Sequence, residues 1–237
     1  MLVLALPALA ITLFLVSGSV AQAAFTPSLG TASTFGVLAH TYSNNGTTRP
    51  TMIAVDLGYS TFSGAPASVS GLTYIVDATY NQAGADQHQA LVTLNAQACT
   101  FTFAGVVDLA TDISHGPIGI YTPGVYCSSG AMTVGSGGTI TLSGAGTFIF
   151  RPTGGLTTSD NSRVYLADNA SACDVFWTPQ TPPPFANTII GANTTFTGTV
   201  IEPIGATNND ITVGADADWT GRALAFDNSV TTNPIIG

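Results

Sequence analysis

The sequence predicts a mainly β fold, a three-sided parallel β-solenoid with one α-helix packed alongside. Three observations carry that reading. The region from Ala131 to Phe226 can be written as four passes of one pattern, each pass holds three short apolar runs, and one amphipathic stretch upstream breaks the β pattern. A chain of 237 residues with 45% apolar content, 26 glycines and only 7% charge suits one globular domain.

Residues 1–24 contain an apolar run from Leu2 to Val16, then small residues and an Ala21-Gln22-Ala23 cleavage pattern, the form of a secretory signal. The basic residue usual at the start of a signal is missing, so an uncleaved amino-terminal anchor competes with a cleaved signal. An apolar run of this length is short for a membrane span. Residues 25–237 are expected as a single exported domain, secreted or held at the cell surface. Membrane contact is expected only if the signal stays uncleaved.

Further along, "ADQHQALVTLNAQAC" places Ala90, Leu91, Leu94 and Ala98 on one face. The spacing predicts a helix over residues 85–99, with Asp86 as its cap and its apolar stripe against a flat side of the solenoid. His40, His88 and His115 are read as solvated surface residues.

The regular coils are expected over residues 121–230. Their first runs are "AMTV" at 131, "GLTT" at 155, "NTII" at 187 and "DITV" at 210. The second runs are "TITLSG", "SRVYL", "TTFTG" and "DWTG", and the third are "TFIF", "DVFW", "TVIE" and "RALAF". Thr147, Asp174, Thr199 and Arg222 open the third runs at intervals of 27, 25 and 23 residues. Such runs between Gly, Asn, Asp and Ser corners read as short strands, and stacking each on its equivalent pairs them in parallel at about 4.7–4.9 Å. Corner glycines such as Gly135, Gly191 and Gly214 fit bends where a Cβ would be costly. The prolines of "TPQTPPPFA", from Thr178 to Ala186, cannot donate to a ladder, so this stretch is expected to bulge outward.

Charge and cysteine content narrow the function. With four basic residues, all Arg, and a net charge of -9, the chain cannot neutralise a run of phosphates, which excludes nucleic acid and disfavours anionic membrane surfaces. Cys99, Cys127 and Cys173 in an exported chain suggest one disulfide and one buried thiol. No CxxC or Cys/His ligand spacing is present, and neither a metal nor another cofactor is expected. Asp210, Asp216, Asp218 and Glu202 are the one acidic concentration that could suggest a polysaccharide-degrading enzyme. They fall at solenoid corners, with no Lys available as a base, so a non-enzymatic role is expected.

"LGTASTFGVLAH" followed by "IAVDLGYS", then the helix, "TPGVYC", "GTITLSGAGTFIFR", "ACDVFW" and "DWTGRALAF" resembles, in order and spacing, the microbial ice-binding-protein-like family. The resemblance implies a right-handed β-solenoid of triangular section whose coils are discontinuous. The amino-terminal coil would stack on the carboxy-terminal one, and the helix would carry the chain to the far end before the remaining coils wind back. It implies that Phe35–Ala39 lies beside "RALAF" and seals that end of the stack, and that Cys99 pairs with Cys127.

The resemblance further implies binding to an ice crystal surface, with no small-molecule substrate, by a chain acting as a monomer. In the family the ice-facing motif is a Thr-rich corner after the first run. Here those corners read "SGGT", "DNSR", "ANTT" and "ADAD", so Asp160, Arg163, Asp216 and Asp218 depart from the pattern. The outward candidates are Thr139, Thr141, Thr157, Thr158, Asn161, Asn193, Thr194, Thr195 and Thr197. Thr suits the role because its χ1 is stiff and it presents a methyl beside a hydroxyl. The alternative is a structural or adhesive surface solenoid that binds glycan or protein.

Overall fold

The computed structural model describes residues 23–46, 51–180, 187–203, 205 and 209–233. The secretory reading of residues 1–24 therefore lies almost wholly outside the described residues, as does most of the proline-rich loop.

The strands run in chain order as β1 (Phe35–Asn44), β2 (Met52–Ile53), β3 (Asp56–Gly64), β4 (Ser68–Val69) and β5 (Thr73–Ile75), before helix α1 (Ala78–Asn95). After the helix come β6 (Phe101–Phe103), β7 (Val107–Asp108), β8 (Ile120–Tyr121), β9 (Gly124–Ser128), β10 (Met132–Val134) and β11 (Thr139–Ser143). Next are β12 (Phe148–Pro152), β13 (Leu156–Thr158), β14 (Arg163–Ala167), β15 (Val175–Trp177), β16 (Thr188–Ile190), β17 (Thr195–Ile201), β18 (Ile211–Val213) and β19 (Asp218–Thr232). All pairings are parallel, and 17 of the strands form one sheet that wraps into a solenoid; β2 and β4 pair separately.

Three faces follow from the register. The first carries β7, β10, β13, β16, β18 and the ends of β19, β1 and β3; the second carries β8, β11, β14 and the starts of β17 and β19. The third carries β6, β9, β12, β15, then the middle of the long strands and β5. These faces match the three runs read from the sequence. The later coils are shorter because β17 and β19 turn a corner without a loop. Gly198 and Gly221 make that corner possible: both have positive φ, and a Cβ on Gly221 would collide with the Gly198 carbonyl oxygen.

Inward side chains stack along the axis, and burying this apolar surface is what makes the coils stable only together. An aromatic spine runs through the middle: Tyr126 and Phe150 have ring centroids 5.3 Å apart, Phe150 and Trp177 4.2 Å, Trp177 and Phe196 5.3 Å, and Phe196 and Trp219 5.2 Å. At the far end Tyr121 stacks on His115 at 4.1 Å. Contrary to the surface reading, the His115 side chain is only 2% exposed, its Nδ1 2.7 Å from an Asp112 carboxylate oxygen.

The helix differs from its expected span. It starts seven residues earlier, at Ala78, and ends at Asn95 rather than reaching Cys99. Asp77 is the cap, its carboxylate accepting from the Tyr80 N–H at 2.8 Å, while Asp86 sits mid-helix and accepts from the Thr31 N–H at 2.6 Å. Gly84 and two polar residues made the first turns read as loop. That glycine is needed because a Cβ there would lie 2.5 Å from the Phe226 ring. Tyr80, Ala83, Ala90, Leu91 and Leu94 bury against Leu38, Val125, Ile149, Phe176, Ile201 and Leu224, so the helix covers the third face.

The helix carries the chain from β5 to the opposite end, where β6 opens the returning coils. Cys99 is bonded to Cys127 across 28 residues of sequence, with Cα atoms 5.8 Å apart. Cys173 is exposed, not buried, because it sits in a short 3-10 turn, Ala172–Asp174, at a corner. β1 does pair with β19, with Val37 opposite Ala223. It does not seal the end: β3 and β5 stack beyond it, so β1 lies inside the stack.

Candidate functional site

With the third face under the helix, two faces remain open, and they differ. On the first, each three-residue strand points one side chain out between two that point in. The outward row reads Asp108, Thr133, Thr157, Ile189, Thr212, Thr231, Ser43 and Ser63 from one end of the stack to the other. Six of its members, Asp108, Thr133, Thr157, Thr212, Thr231 and Ser43, are half-buried, as residues of a flat ladder should be. The nearby Asp210 carboxylate accepts from the Ser229 N–H at 2.9 Å.

The second face is rougher. One outward row reads Thr139, Arg163, Thr195 and Asp218, and a parallel one holds Ile120, Thr141 and Tyr165. Arg163 and Tyr165 stand out from the sheet, the guanidinium donating to the Tyr165 hydroxyl at 2.7 Å. Each charge holds its own hydration, which breaks an ordered water layer.

The corner between these faces explains Asp216, one of the residues that looked like departures. Gly137, Asn161, Asn193 and Asp216 occupy equivalent places and all have positive φ, from 52° to 67°. That is the third position of a tight turn, where Gly, Asn and Asp are the tolerated residues. The backbone stacks there too: the Asn161 N–H donates to the Ala192 carbonyl and the Asn193 N–H to that of Ala215, both at 2.9 Å. The corner is therefore chosen for conformation, and a Thr at that third position would be strained.

The sequence-derived candidates scatter over these surfaces. Thr157 lies in the first-face row, Thr139, Thr141 and Thr195 lie on the second face, and Asn161 and Asn193 sit exposed at the corner between them. Thr158, Thr194 and Thr197 are buried and cannot face ice. Thr158 shares the inward row of Val134 and Ile190, while the Thr194 and Thr197 hydroxyls each donate at 3.1 Å to a backbone carbonyl, of Ser159 and Val164. Thr133, Thr212, Thr231, Ser43 and Ser63 were missed. The third letter of each first run would have found Thr133 and Thr212.

The acidic residues do not converge. Glu202 is fully buried, and burial pushes its carboxyl well above the usual carboxylate range, with the nearby Asp210 charge adding to the effect. Asp216 and Asp218 lie at the corner and on the second face, away from it. Among the described residues no group of three or more His, Cys, Asp or Glu side chains could hold a metal ion.

Comparison with known proteins settles the lineage. A family model described as "Ice-binding-like" matches residues 17–235. The chain belongs to the Ice-binding-like family. An ice-binding protein of Nostoc sp. is 33% identical over 231 residues, covering 94% of this chain and 78% of that one. Among solved structures, an ice-binding protein from the Antarctic ascomycete Antarctomyces psychrotrophicus superposes with a TM-score of 0.73 at 28% identity, covering 89% of this chain and 96% of that chain. One from an Antarctic biological consortium gives a TM-score of 0.73 at 29% identity over 90% and 91%. The solenoid with one accompanying helix is thus the shared architecture of this family.

Proposed function

We propose that this protein is exported and binds ice through its first face. The observation that supports this reading is the outward row from Thr133 to Ser63, which crosses every coil but the first, where Asp108 stands, with only Ile189 departing from small hydroxyl side chains. Parallel strands set its members at about 4.7–4.9 Å, a spacing the backbone fixes in advance. Each Thr holds a stiff rotamer, so hydroxyl and methyl recur on a plane without ordering cost at the moment of contact. A single hydrogen bond contributes about 1 kcal/mol net, so adhesion comes from many residues ordering surface water together. Catalytic groups and cofactors have no part in this mechanism, and the protein acts as a monomer on the crystal.

Export agrees with the disulfide and with the signal-like opening. Among the described residues no helix is long and apolar enough to cross a membrane. The deciding experiment uses fluorescent protein on a single-crystal ice hemisphere, with Thr157→Tyr and Thr212→Tyr as variants. Both should lose adsorption and thermal hysteresis while Thr141→Tyr, on the second face, keeps them. Wild-type protein that adsorbs to no ice plane but retains a polysaccharide array would replace this reading with an adhesive one.

A further inference from the structure

Over most of the stack the first face is one rank deep, because β10, β13, β16 and β18 each turn a single side chain out. It becomes two ranks deep where β1 lies between β19 and β3. There Thr41 to Asn44 run in unbroken register, opposite residues 229–232 of β19 on one side and 61–64 of β3 on the other. Side chains alternate along each strand, so Ser229 and Thr231, Thr41 and Ser43, and Thr61 and Ser63 all point out. Four of these six are half-buried, and Thr61 and Ser63 are exposed. Every one carries a hydroxyl, spaced at about 4.7–4.9 Å between strands and about 6.6 Å along them. In register, the places that follow Ser229 down the stack hold Asp210, Asn187, Gly155 and Ala131, so the second rank of those coils has no hydroxyl.

The grid is held from behind. Tyr42, Val230 and Thr232 are buried beneath it, the Tyr42 hydroxyl lies 3.0 Å from that of Thr232, and the Tyr42 ring packs on Phe62 at 5.9 Å. We infer, resting on the ice reading of this face, that contact with the crystal is centred on this grid and that Thr41, Thr61 and Ser229 are ice-binding residues in addition to the row. A single rank matches one repeat of a lattice and leaves the crystal free to turn about that line. Two ranks match a second repeat as well and fix the plane. Each hydroxyl contributes little alone, so the place where most of them act together on a preorganised surface dominates adhesion. The Asp210 carboxylate, which accepts from the Ser229 N–H at 2.9 Å, keeps its own hydration and bounds the grid on one side.

Alanine substitution in the full chain tests this, since it removes a side chain's own contribution without holding the crystal off as a Tyr does. Thr41→Ala with Ser229→Ala should lower thermal hysteresis several-fold. Thr133→Ala with Thr157→Ala, which takes as many residues from the single rank, should lower it far less. Thr61→Lys places a hydrated charge on the grid at an exposed site, away from the core. It should abolish adsorption, and it decides the matter should the Thr41/Ser229 variant fold poorly. If wild-type protein adsorbs to ice while the Thr41/Ser229 pair costs no more than the Thr133/Thr157 pair, or while Thr61→Lys keeps full hysteresis, the grid is overturned and the ice reading stands. Wild-type protein that adsorbs to no ice plane would overturn both.

Discussion

The first and second faces of this solenoid are built from the same coils, yet one is an unbroken ladder and the other is interrupted. The difference arises at the seam where the two ends of the chain meet. β1 bends from the third face onto the first as one continuous strand, so it bridges β19 and β3 on both. Nothing among the described strands does so on the second face. Regularity therefore depends on how the chain closes as much as on which residues it carries. A repeating surface needs every rung, and of these two faces only the first has them among the described strands.

Breaking this contrast directly should give the largest effect. Thr157→Tyr or Thr212→Tyr should remove most thermal hysteresis, and Thr141→Tyr should leave it near wild type; the reverse pattern would transfer the activity to the second face. Next in size is the disulfide, which anchors the far coil beneath both faces. Cys99→Ser with Cys127→Ser should cost about 3 to 4 kcal/mol for a loop of 28 residues. Chemical denaturation would measure it, and the loss should weaken both faces together.

A third test separates the faces by pH. Glu202 sits behind the first face next to Asp210, and its folded carboxyl keeps its proton to higher pH than the unfolded chain does. Stability is then fully present below the ordinary glutamate range and falls as pH rises above it, by up to about 1.4 kcal/mol per unit, until the native carboxyl ionises. Glu202→Gln should flatten that slope in melting curves, and at alkaline pH the wild type should lose amide protection at β16 and β18 before β11 and β14. The smallest effect belongs to the shared corner. Asn193→Ala should cost about 1 kcal/mol for its left-handed backbone, whereas Asn193→Gly should be near neutral.

Much of this molecule is legible in its sequence because a solenoid coil is local. Three runs and three corners recur within some 23 to 27 residues, and the family resemblance supplies the order of the coils. The errors have physical causes. Thr157 and Thr158 were both taken as outward, although neighbouring strand residues must face opposite ways, and only the register shows which one is in. The first turns of the helix were hidden because Gly84 and Asn81 are poor helix formers; packing against Phe226 overrides propensity there. His115 looked like a surface residue because nothing local reveals that Phe101, Phe103, Tyr121 and Tyr126 close around it. The ladder past Thr212 was invisible, since Thr231 and Ser43 become neighbours only through pairing across nearly the whole chain.

That pairing also dictates when the protein can finish folding. Tyr42 and Thr232 share a hydrogen bond across 190 residues of sequence, and β1 has no other partner toward β19 until β19 exists. On a ribosome the first strand is made early and its neighbour last, so β1 must wait, unpaired on that edge, while every returning coil is synthesised. Contacts of such long range make folding slow and leave an apolar strand open to wrong partners meanwhile. Winding of the middle coils is a local affair that can run ahead, but closure of the seam sets the pace. A circular permutant that joins the two ends and opens the chain elsewhere would make β19 and β1 near neighbours in sequence, and it should fold faster into the same native stack.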